Sequence, residues 1–221
     1  MKSLLRCFVV LLPWPLKRRL MTWLFGYRLH PSSHIGVSWI FPVSLEMDET
    51  SRIGHLTVCK GLSLLKIEKH ASIGRLNWIS AYPLGAPAHF VHLPDRQPQL
   101  VLGEHAAITH RHIIDCTDRI TIGRFSTLAG FRSQLLTHSI DLVSCRQDAK
   151  AINIGEYCFI GTACTILGGT VIPDHSVVGA NALLNAIYRD SYRLYAGVPA
   201  REVSRLDPGM KYFTRTKGFV V

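Results

Sequence analysis

The sequence predicts an all-β fold in which short parallel strands wind into triangular coils. Three regularities support this class. An apolar residue recurs at every sixth position over much of residues 35–184, the residue two positions earlier is often small, as at Cys158 and Ala182, and glycine or proline often follows. Neither a helix, with a period near 3.6, nor a simple strand, with a period of 2, repeats at six. A strand, a turn and one inward aliphatic side chain in six residues describe one side of a coil, and stacked coils share a continuous core.

The apolar ladder has 21 positions, and steps of eight replace steps of six before Ile73 and before Ile122. Of these 21 positions 20 are apolar, whereas about ten would be apolar by chance at the chain's apolar fraction of 48%. We therefore predict coils over 33–80 and 101–184, within a β-helix domain of residues 33–185. The side chains predicted to point inward are Ile35, Phe41, Met47, Ile53, Cys59, Leu65, Ile73, Ile79, Leu102, Ile108, Ile114, Ile122, Leu128, Gln134, Ile140, Ile154, Ile160, Ile166, Ile172, Val178 and Leu184.

Residues 1–32 lack this period and form a separate amphipathic segment. Their apolar run is shorter than the roughly 20 residues of a membrane span, it is interrupted by Arg6, Pro13 and Pro15, and no signal-peptide cleavage motif follows. From Pro15 onwards we predict a helix with basic residues beside an apolar face. This helix either lies in the interface of an anionic membrane or caps the open end of the solenoid. The predicted apolar face consists of Leu16, Leu20, Trp23, Leu24 and Tyr27.

Two internal segments interrupt the period. Residues 81–100 contain four prolines and little periodicity, which is typical of a loop, and the stretch SQLLTHSIDLVSCRQDAKA loses the period around His138. We predict that 81–100 and 141–151 lie outside the coils and that residues 186–221 form a C-terminal extension. A loop that leaves a regular wall can carry a reactive group and form one side of a cleft.

The chain has a formal net charge of +10. Such a charge favours anionic partners, such as a phosphate-rich cofactor, a nucleotide-linked sugar or a membrane surface. No nucleic-acid-binding motif is evident, so we expect no nucleic acid partner. None of the six cysteines forms a CxxC pair, which excludes zinc fingers and thioredoxin-like proteins and favours reduced cysteines in a cytoplasmic protein.

Two stretches carry a family resemblance. INIGEYCFIGTACTILGGTVIPDHSVVGANALL resembles the hexapeptide repeat of left-handed β-helix acyltransferases, and AGVPAREV resembles the close of the sugar and polysaccharide O-acetyltransferases, which include the maltose and galactoside acetyltransferases. The resemblance covers about residues 33–205. It implies a left-handed parallel β-helix, a homotrimer, and acetyl-CoA as co-substrate with no metal. The implied acceptor is a glycan or lipid-linked sugar in surface polysaccharide synthesis, handled in the cytoplasm or on the inner face of the cytoplasmic membrane.

The same resemblance places a general base in the loop LLTHSIDL, which supplies His138. Histidine suits this role because its unperturbed pKa of about 6.5 leaves neutral imidazole plentiful at pH 7. An imidazole base usually needs an orienting acceptor on its other nitrogen. Asp141 and Asp115 are both candidates for that acceptor. In THRHIIDCTD, His110 and His112 alternate along the chain and are candidates for holding sugar hydroxyls.

The resemblance also implies positions that contact acetyl-CoA. Arg201, in GVPAR, matches a position that meets the phosphorylated nucleotide end, although Ser204 stands where the family often has a second basic residue. The pantetheine arm is expected along the C-terminal coils, at Thr162, Ala180, Asn185 and Ala186.

Two other functions fit parts of the pattern. A γ-type carbonic anhydrase also uses a left-handed β-helix and needs three histidines that converge on zinc, and eleven histidines are available. The GVPAR close and the single histidine in the loop argue against it. A non-catalytic β-helix scaffold is the second alternative.

Overall fold

Three parallel sheets form a triangular prism in the computed structural model, which describes residues 2–85, 89–218 and 220. Each coil contributes one short strand to each sheet in turn, and the described residues form seven coils. We name the edges of the prism the 1/2, 2/3 and 3/1 corners, after the sheets that meet there. Sheets 1 and 3 have seven strands each and sheet 2 has nine.

The strands are numbered along the chain. Sheet 1 contains β1 (Arg28–Leu29), β4 (Ser44–Met47), β7 (Leu64–Ile67), β10 (Gln99–Leu102), β13 (Ile120–Ile122), β18 (Ile152–Ile154) and β21 (Val171–Ile172). Sheet 2 contains β2 (His34–Ile35), β5 (Arg52–Ile53), β8 (Ser72–Ile73), β11 (Ala107–Ile108), β14 (Thr127–Leu128), β19 (Phe159–Ile160), β22 (Val177–Val178), β24 (Arg193–Gly197) and β25 (Ala200–Arg205). Sheet 3 contains β3 (Trp39–Phe41), β6 (Val58–Lys60), β9 (Trp78–Ser80), β12 (Ile113–Asp115), β15 (Gln134–Leu136), β20 (Thr165–Leu167) and β23 (Leu183–Leu184).

The core is the set of inward side chains, which stack in register from coil to coil. Of the 21 positions predicted to point inward, 19 are buried. Gln134 is wrong because the step there is seven residues, so Leu135 points inward between Ile114 and Ile166. Ile140 is wrong because it lies outside the coils and is 60% exposed.

Phe41 is buried for a different reason than the ladder implied. Its neighbour Ile40 is the residue aligned with the inward Cys59 of the next coil. The Phe41 ring instead packs edge-on against Phe25, with centroids 5.4 Å apart, and Arg6 lies over it. The first coil is therefore closed by residues of the N-terminal segment.

Two helices, α1 (Lys2–Leu11) and α2 (Trp14–Phe25), cover the first coil. The sequence predicted one helix, from Pro15, with basic residues beside its apolar face, and Lys17 is one of these basic residues. Lys17 is 1% exposed, and its Nζ donates hydrogen bonds to the carbonyl oxygens of Gly36 (2.7 Å) and Val10 (3.3 Å). Burial lowers the Lys17 pKa to about 8. Within the described residues, the helices lack the length and hydropathy that a membrane span requires.

The coils extend beyond both predicted domain limits. At the start, β1 already pairs with β4, so coiling begins at Arg28 rather than at residue 33. At the end, the predicted extension 186–221 returns to the prism: β24 pairs in parallel with β22, and β25 folds back antiparallel on β24. A short helix, α3 (Lys211–Thr214), follows and packs against the 1/2 corner.

The 1/2 corner is lined by a column of rings. From the second coil onwards the chain turns there through a residue with positive φ, and the rings among these residues stack with centroids 4.6–5.3 Å apart. The C-terminal segment covers this aromatic column: Tyr212 donates a hydrogen bond to the Cys158 carbonyl oxygen, and the Arg215 guanidinium lies 5.7 Å from the Phe125 and Tyr157 ring centroids. The column consists of His70, His105, Phe125, Tyr157, His175 and Tyr192.

The 3/1 corner is where the chain leaves the coils twice. Residues 81–98 lie between β9 and β10, two residues shorter than the predicted loop because β10 begins at Gln99. The second excursion is an antiparallel hairpin of β16 (His138–Asp141) and β17 (Arg146–Ala149), which begins earlier than the predicted 141–151 loop.

Candidate active site

The two excursions stand on either side of one ordinary turn at the 3/1 corner. Residues 116–119 connect β12 to β13 directly, while the coil before sends out residues 81–98 and the coil after sends out the hairpin. Because parallel strands of sheet 3 end at the same edge, Asp115, the last residue of β12, lies between the bases of the two excursions. This arrangement brings loop residues and a coil residue together.

The excursions enclose an open cleft of 620 Å³. Among the described residues that line it, two are histidines and one is an arginine, and none is acidic. The apolar part of the lining comes from both excursions. The lining residues are His89, Phe90, Val91, His92, Ile140, Cys145, Arg146 and Gln147.

His138, the first residue of β16, contacts three side chains from three different segments. Its Nδ1 lies 3.9 Å from Oδ2 of Asp115, and its Nε2 shares a hydrogen bond with the side-chain amide of Gln147 on the opposite hairpin strand. The edge of its ring meets Phe90, with centroids 5.5 Å apart and planes at 66°. The imidazole thus has a polar group near each nitrogen and an aromatic ring at one side.

Phe90 is held against His138 by a buried arginine. Arg96 is 7% exposed, and its guanidinium carbon lies 4.3 Å from the Phe90 ring centroid. The same guanidinium donates hydrogen bonds to the carbonyl oxygens of Thr117 (2.6 Å), Tyr82 (2.7 Å) and Pro83 (3.1 Å). Burial lowers the pKa of Arg96, and the carboxylates of Asp118 and Asp115 oppose this shift. Arg96 therefore pins the first excursion to the turn beside Asp115.

Of the two candidate orienting carboxylates, Asp115 is the one beside His138. Its Oδ1 accepts hydrogen bonds from the backbone N–H (2.9 Å) and hydroxyl (2.6 Å) of Thr117, which leaves Oδ2 facing Nδ1 of the histidine. A shortening of about 1 Å would make that contact a hydrogen bond. Such contacts are often long in structures without substrate.

Asp141 does not take the orienting role. Side chains alternate along a strand, so residues three apart on β16 point to opposite faces. The Asp141 carboxylate instead closes the hairpin turn, where it accepts hydrogen bonds from the hydroxyl of Ser144 and the backbone N–H of Val143 (3.0 Å). These bonds lower the Asp141 pKa.

The two histidines expected to hold sugar hydroxyls lie elsewhere. His112 is buried: its Nδ1 accepts a hydrogen bond from the Ser133 backbone N–H (3.1 Å), and its Nε2 lies 3.0 Å from the Thr109 hydroxyl. Burial, with a smaller effect of His110, lowers the His112 pKa to about 4, so this ring is neutral. His110 lies at the 2/3 corner, where its Nδ1 accepts a hydrogen bond from the Arg75 backbone N–H (3.0 Å). The side chains of His110 and His112 do not point to the same side of one strand, because a corner of the prism separates the two residues.

The arrangement at His138 suits proton transfer. In the structure Oε1 of the Gln147 amide faces Nε2, so Nε2–H donates a hydrogen bond to it. When the ring instead carries its proton on Nδ1, facing Asp115, the neutral imidazole keeps a lone pair on Nε2. An incoming hydroxyl that replaces the amide would give its proton to Nε2. The site can therefore generate a nucleophilic oxygen beside the cleft that Phe90 and Gln147 line.

The positions expected to contact acetyl-CoA fall at separate places in one chain. Thr162 and Ala180 lie at the 2/3 corner, and the Thr162 hydroxyl bonds to the Phe131 backbone. Asn185 and Ala186 follow β23 at the 3/1 corner, two strands of sheet 3 beyond the hairpin. Arg201 lies exposed on β25. His138 and Thr162 are therefore on opposite edges of sheet 3.

In the described part of the chain, one group of side chains has metal-ligand composition. Ligand atoms of His70, Glu104 and His105 lie within 4.8 Å of one another. The two imidazoles are stacked at 4.6 Å with planes 18° apart, so their lone pairs run side by side instead of converging on one point. This group is at the 1/2 corner, away from His138.

No family model and no curated protein matches the chain. Among solved structures, the polysialic acid O-acetyltransferase OatWY is 18% identical over 81% of this chain and 84% of its own, with a TM-score of 0.58. A hexapeptide-repeat-containing acetyltransferase from Vibrio cholerae O1 biovar eltor, complexed with acetyl coenzyme A, is 18% identical over 93% and 85%, with a TM-score of 0.49. The polysialic-acid-specific acetyltransferase NeuO is 16% identical over 81% and 85%, with a TM-score of 0.45. The first likeness confirms the predicted fold, a left-handed parallel β-helix.

Three residues beside His138 were absent from the sequence-based set. Phe90 and Arg96 lie in a segment without periodicity, and Gln147 lies on the return strand of the hairpin. The one available signal for Gln147 is strand pairing: His138 pairs with Ala149, so residues near 147 had to return beside it. Arg96 carried no signal, because its partners are backbone carbonyl oxygens.

Proposed function

We propose that the chain is an acetyl-CoA-dependent O-acetyltransferase that acts on a sugar. The observation that carries the proposal is the His138 site: an imidazole at the edge of a basic cleft, with a carboxylate beside Nδ1 and a displaceable amide at Nε2. The fold likeness to an O-acetyltransferase and the GVPAR motif support the same chemistry.

The proposed reaction is a direct transfer. Nε2 of His138 accepts the proton of the acceptor hydroxyl while its oxygen attacks the thioester carbonyl carbon. The tetrahedral intermediate collapses with release of the CoA thiolate, which takes the proton back from the imidazolium. Asp115 fixes the ring with the proton on Nδ1 and stabilises the imidazolium between these steps.

We propose that the active site is completed by a second copy of the chain in a homotrimer. Thr162 and Ala180 cannot serve the His138 of their own chain directly, because sheet 3 separates the two corners. The outer face of sheet 3 carries Trp78 and Ile113, each nearly half exposed, which suits contact with a neighbouring chain. The 2/3 corner of one copy would then supply acetyl-CoA to the 3/1 corner of the next.

The proposed acceptor is a glycan or lipid-linked sugar of surface polysaccharide synthesis, at the cytoplasmic face of the membrane. His89, His92 and Arg146 give the cleft a lining that favours a carboxylated or phosphorylated sugar. OatWY, which shares the fold, is an acetyltransferase of polysialic acid. The finer proposal is therefore an anionic glycan acceptor.

Incubation with acetyl-CoA labelled in the acetyl group and a panel of neutral, sialylated, nucleotide-linked and lipid-linked sugars tests this function. We expect base-labile label in an anionic glycan together with release of CoA. Zinc in the purified protein together with carbon dioxide hydration activity would instead indicate the carbonic anhydrase alternative. Absence of acetyl-CoA binding in calorimetry, together with absence of transfer, would indicate a scaffold and overturn the proposal.

A further inference from the structure

We propose that helices α1 and α2 dock the protein on an anionic lipid bilayer. The first 45 residues contain six of the chain's 25 lysines and arginines and none of its 15 aspartates and glutamates, of which Glu46 is the first. Five of these six belong to α1 and α2, the helices that cover one end of the prism, and the sixth is Arg28.

Helix α2 presents two surfaces with different contents. One side faces the first coil and is buried at Met21 and Lys17. Residues spaced by three and four lie on the same face of a helix. Leu16, Arg19 and Trp23 have this spacing and are all exposed, and Trp23 is 80% exposed. The predicted single apolar face is thus divided between the core and the outer surface.

Helix α1 repeats this division. Val9 is fully buried in the core cluster, while Leu5, Phe8 and Leu11, spaced by three, are exposed, Phe8 by 61% and Leu11 by 74%. Both helices therefore cap the solenoid with one side and leave aromatic and aliphatic residues uncovered on another. The capping role does not account for the uncovered residues.

The composition of this surface matches a bilayer interface. Tryptophan and phenylalanine with neighbouring arginines are the residues that amphipathic helices insert at an anionic headgroup region. Lys17 is buried in the core, so the charges available to headgroups are mainly those of Arg18 and Arg19. The absence of acidic residues over 45 positions removes the repulsion that such headgroups would otherwise meet.

Co-sedimentation with vesicles of phosphatidylcholine alone, or of phosphatidylcholine mixed with phosphatidylglycerol, tests the proposal on the full-length chain. We expect binding to the mixed vesicles that weakens with salt. Each basic residue near such a surface contributes about 1 kcal/mol, so the double variant Arg18→Ser/Arg19→Ser should bind about 30-fold more weakly. Trp23→Ala should weaken binding roughly tenfold to a hundredfold, through lost burial.

Matched controls are Arg189→Ser/Arg205→Ser for charge and Val203→Ala for an exposed apolar residue, all outside the helices. Equal losses in helix and control variants, or equal binding to neutral and mixed vesicles, would overturn the proposal. A second result would also overturn the proposal: a Trp23→Ala variant with a much smaller mass than the wild type in light scattering without lipid. The exposed surface of the helices would then join copies of the chain. Circular dichroism verifies folding, and acetyl transfer to a soluble acceptor should be unchanged in every variant.

Discussion

The 1/2 corner and the 3/1 corner belong to the same coils but have different contents. At the 1/2 corner every coil turns tightly, and the stacked rings are covered by the C-terminal segment. At the 3/1 corner two coils send out long excursions, and the polar contacts around His138 lie between them. The difference shows that the corners of one repeat can vary independently without disturbing the inward columns. In the proposed function, one edge contributes stability and another the chemistry.

Changes at the 3/1 corner should therefore alter turnover, and changes at the 1/2 corner should alter stability. Replacement of His138 by alanine is the largest test. If His138 is the general base, His138→Ala should lower kcat by roughly 10²–10⁴, the usual contribution of a positioned acid–base group. Steady-state kinetics with the labelled-acetyl assay measures the effect, and His30→Ala, an exposed histidine in the first coil, is the control. Near wild-type turnover of His138→Ala would refute the mechanism.

Arg96 should have the second largest effect on turnover, although it does not reach the cleft. Arg96→Lys keeps a positive charge but loses the planar fork that binds three carbonyl oxygens. Phe90 then loses its support, and displacement of His138 by about 1 Å can reduce kcat up to about a hundredfold. We expect lower kcat with a nearly unchanged KM for acetyl-CoA, and no such effect from Arg52→Lys on the outer face of sheet 2. A change in thermal stability alone would assign Arg96 a purely structural role.

The two aspartates should differ in a smaller kinetic effect. A partly exposed ion pair contributes up to about 1 kcal/mol, so Asp115→Asn should lower kcat up to about fivefold through weaker stabilisation of the imidazolium. Asp141→Asn should leave kcat within error, because its carboxylate bonds to the hairpin turn. Parallel kinetics of the two variants decides the assignment, and a larger loss in Asp141→Asn would reverse it.

At the 1/2 corner, replacement of Tyr157 tests whether this corner contributes to stability and not to turnover. Its ring stacks on Phe125 (4.7 Å) and His175 (5.3 Å), and aromatic pairs contribute about 0.5–1.5 kcal/mol each. Tyr157→Ala should therefore lower Tm by several degrees and leave kcat unchanged. Tyr157→Phe, which keeps the ring, is the matched control for differential scanning calorimetry. Loss of turnover without loss of stability would contradict the division between corners.

The smallest expected effect concerns the capped end of the prism, where the stability contributed by Lys17 should depend on pH. The Lys17 pKa is about 8 in the folded chain and is about 10.4 in an unfolded one, so between these values the unfolded state binds more protons. Stability from this group should therefore rise as pH increases from 8 to 10. Lys17→Met removes the titration, so the Tm of the wild type minus that of the variant should increase over this range. A constant difference would show that Lys17 does not titrate as a buried group.

The sequence predicted the inward columns because burial repeats with the coil, and repetition is visible along one chain. The same reasoning failed at Gln134, where one step has seven residues, and at Phe41, which packs on a helix that the repeat does not describe. The sequence could offer His138 as a candidate from a loop motif, and Asp115 as one of two candidate partners because it lies on a preceding coil. Phe90, Arg96 and Gln147 could not be identified, because their contacts join segments without a period and depend on how two loops fold against each other.

The regular stacking of coils also fixes distances along the axis of the solenoid. Neighbouring strands lie about 4.8 Å apart, and β15, which leads into His138, is four strands beyond β3 in sheet 3. His138 therefore stands about 19 Å along the prism axis from the capped coil. Insertion or removal of a whole coil between them would move the histidine by a fixed increment without altering its chemistry. Under the proposed function and membrane docking, the number of coils would set how far from the anchor along an extended glycan the acetyl group is added.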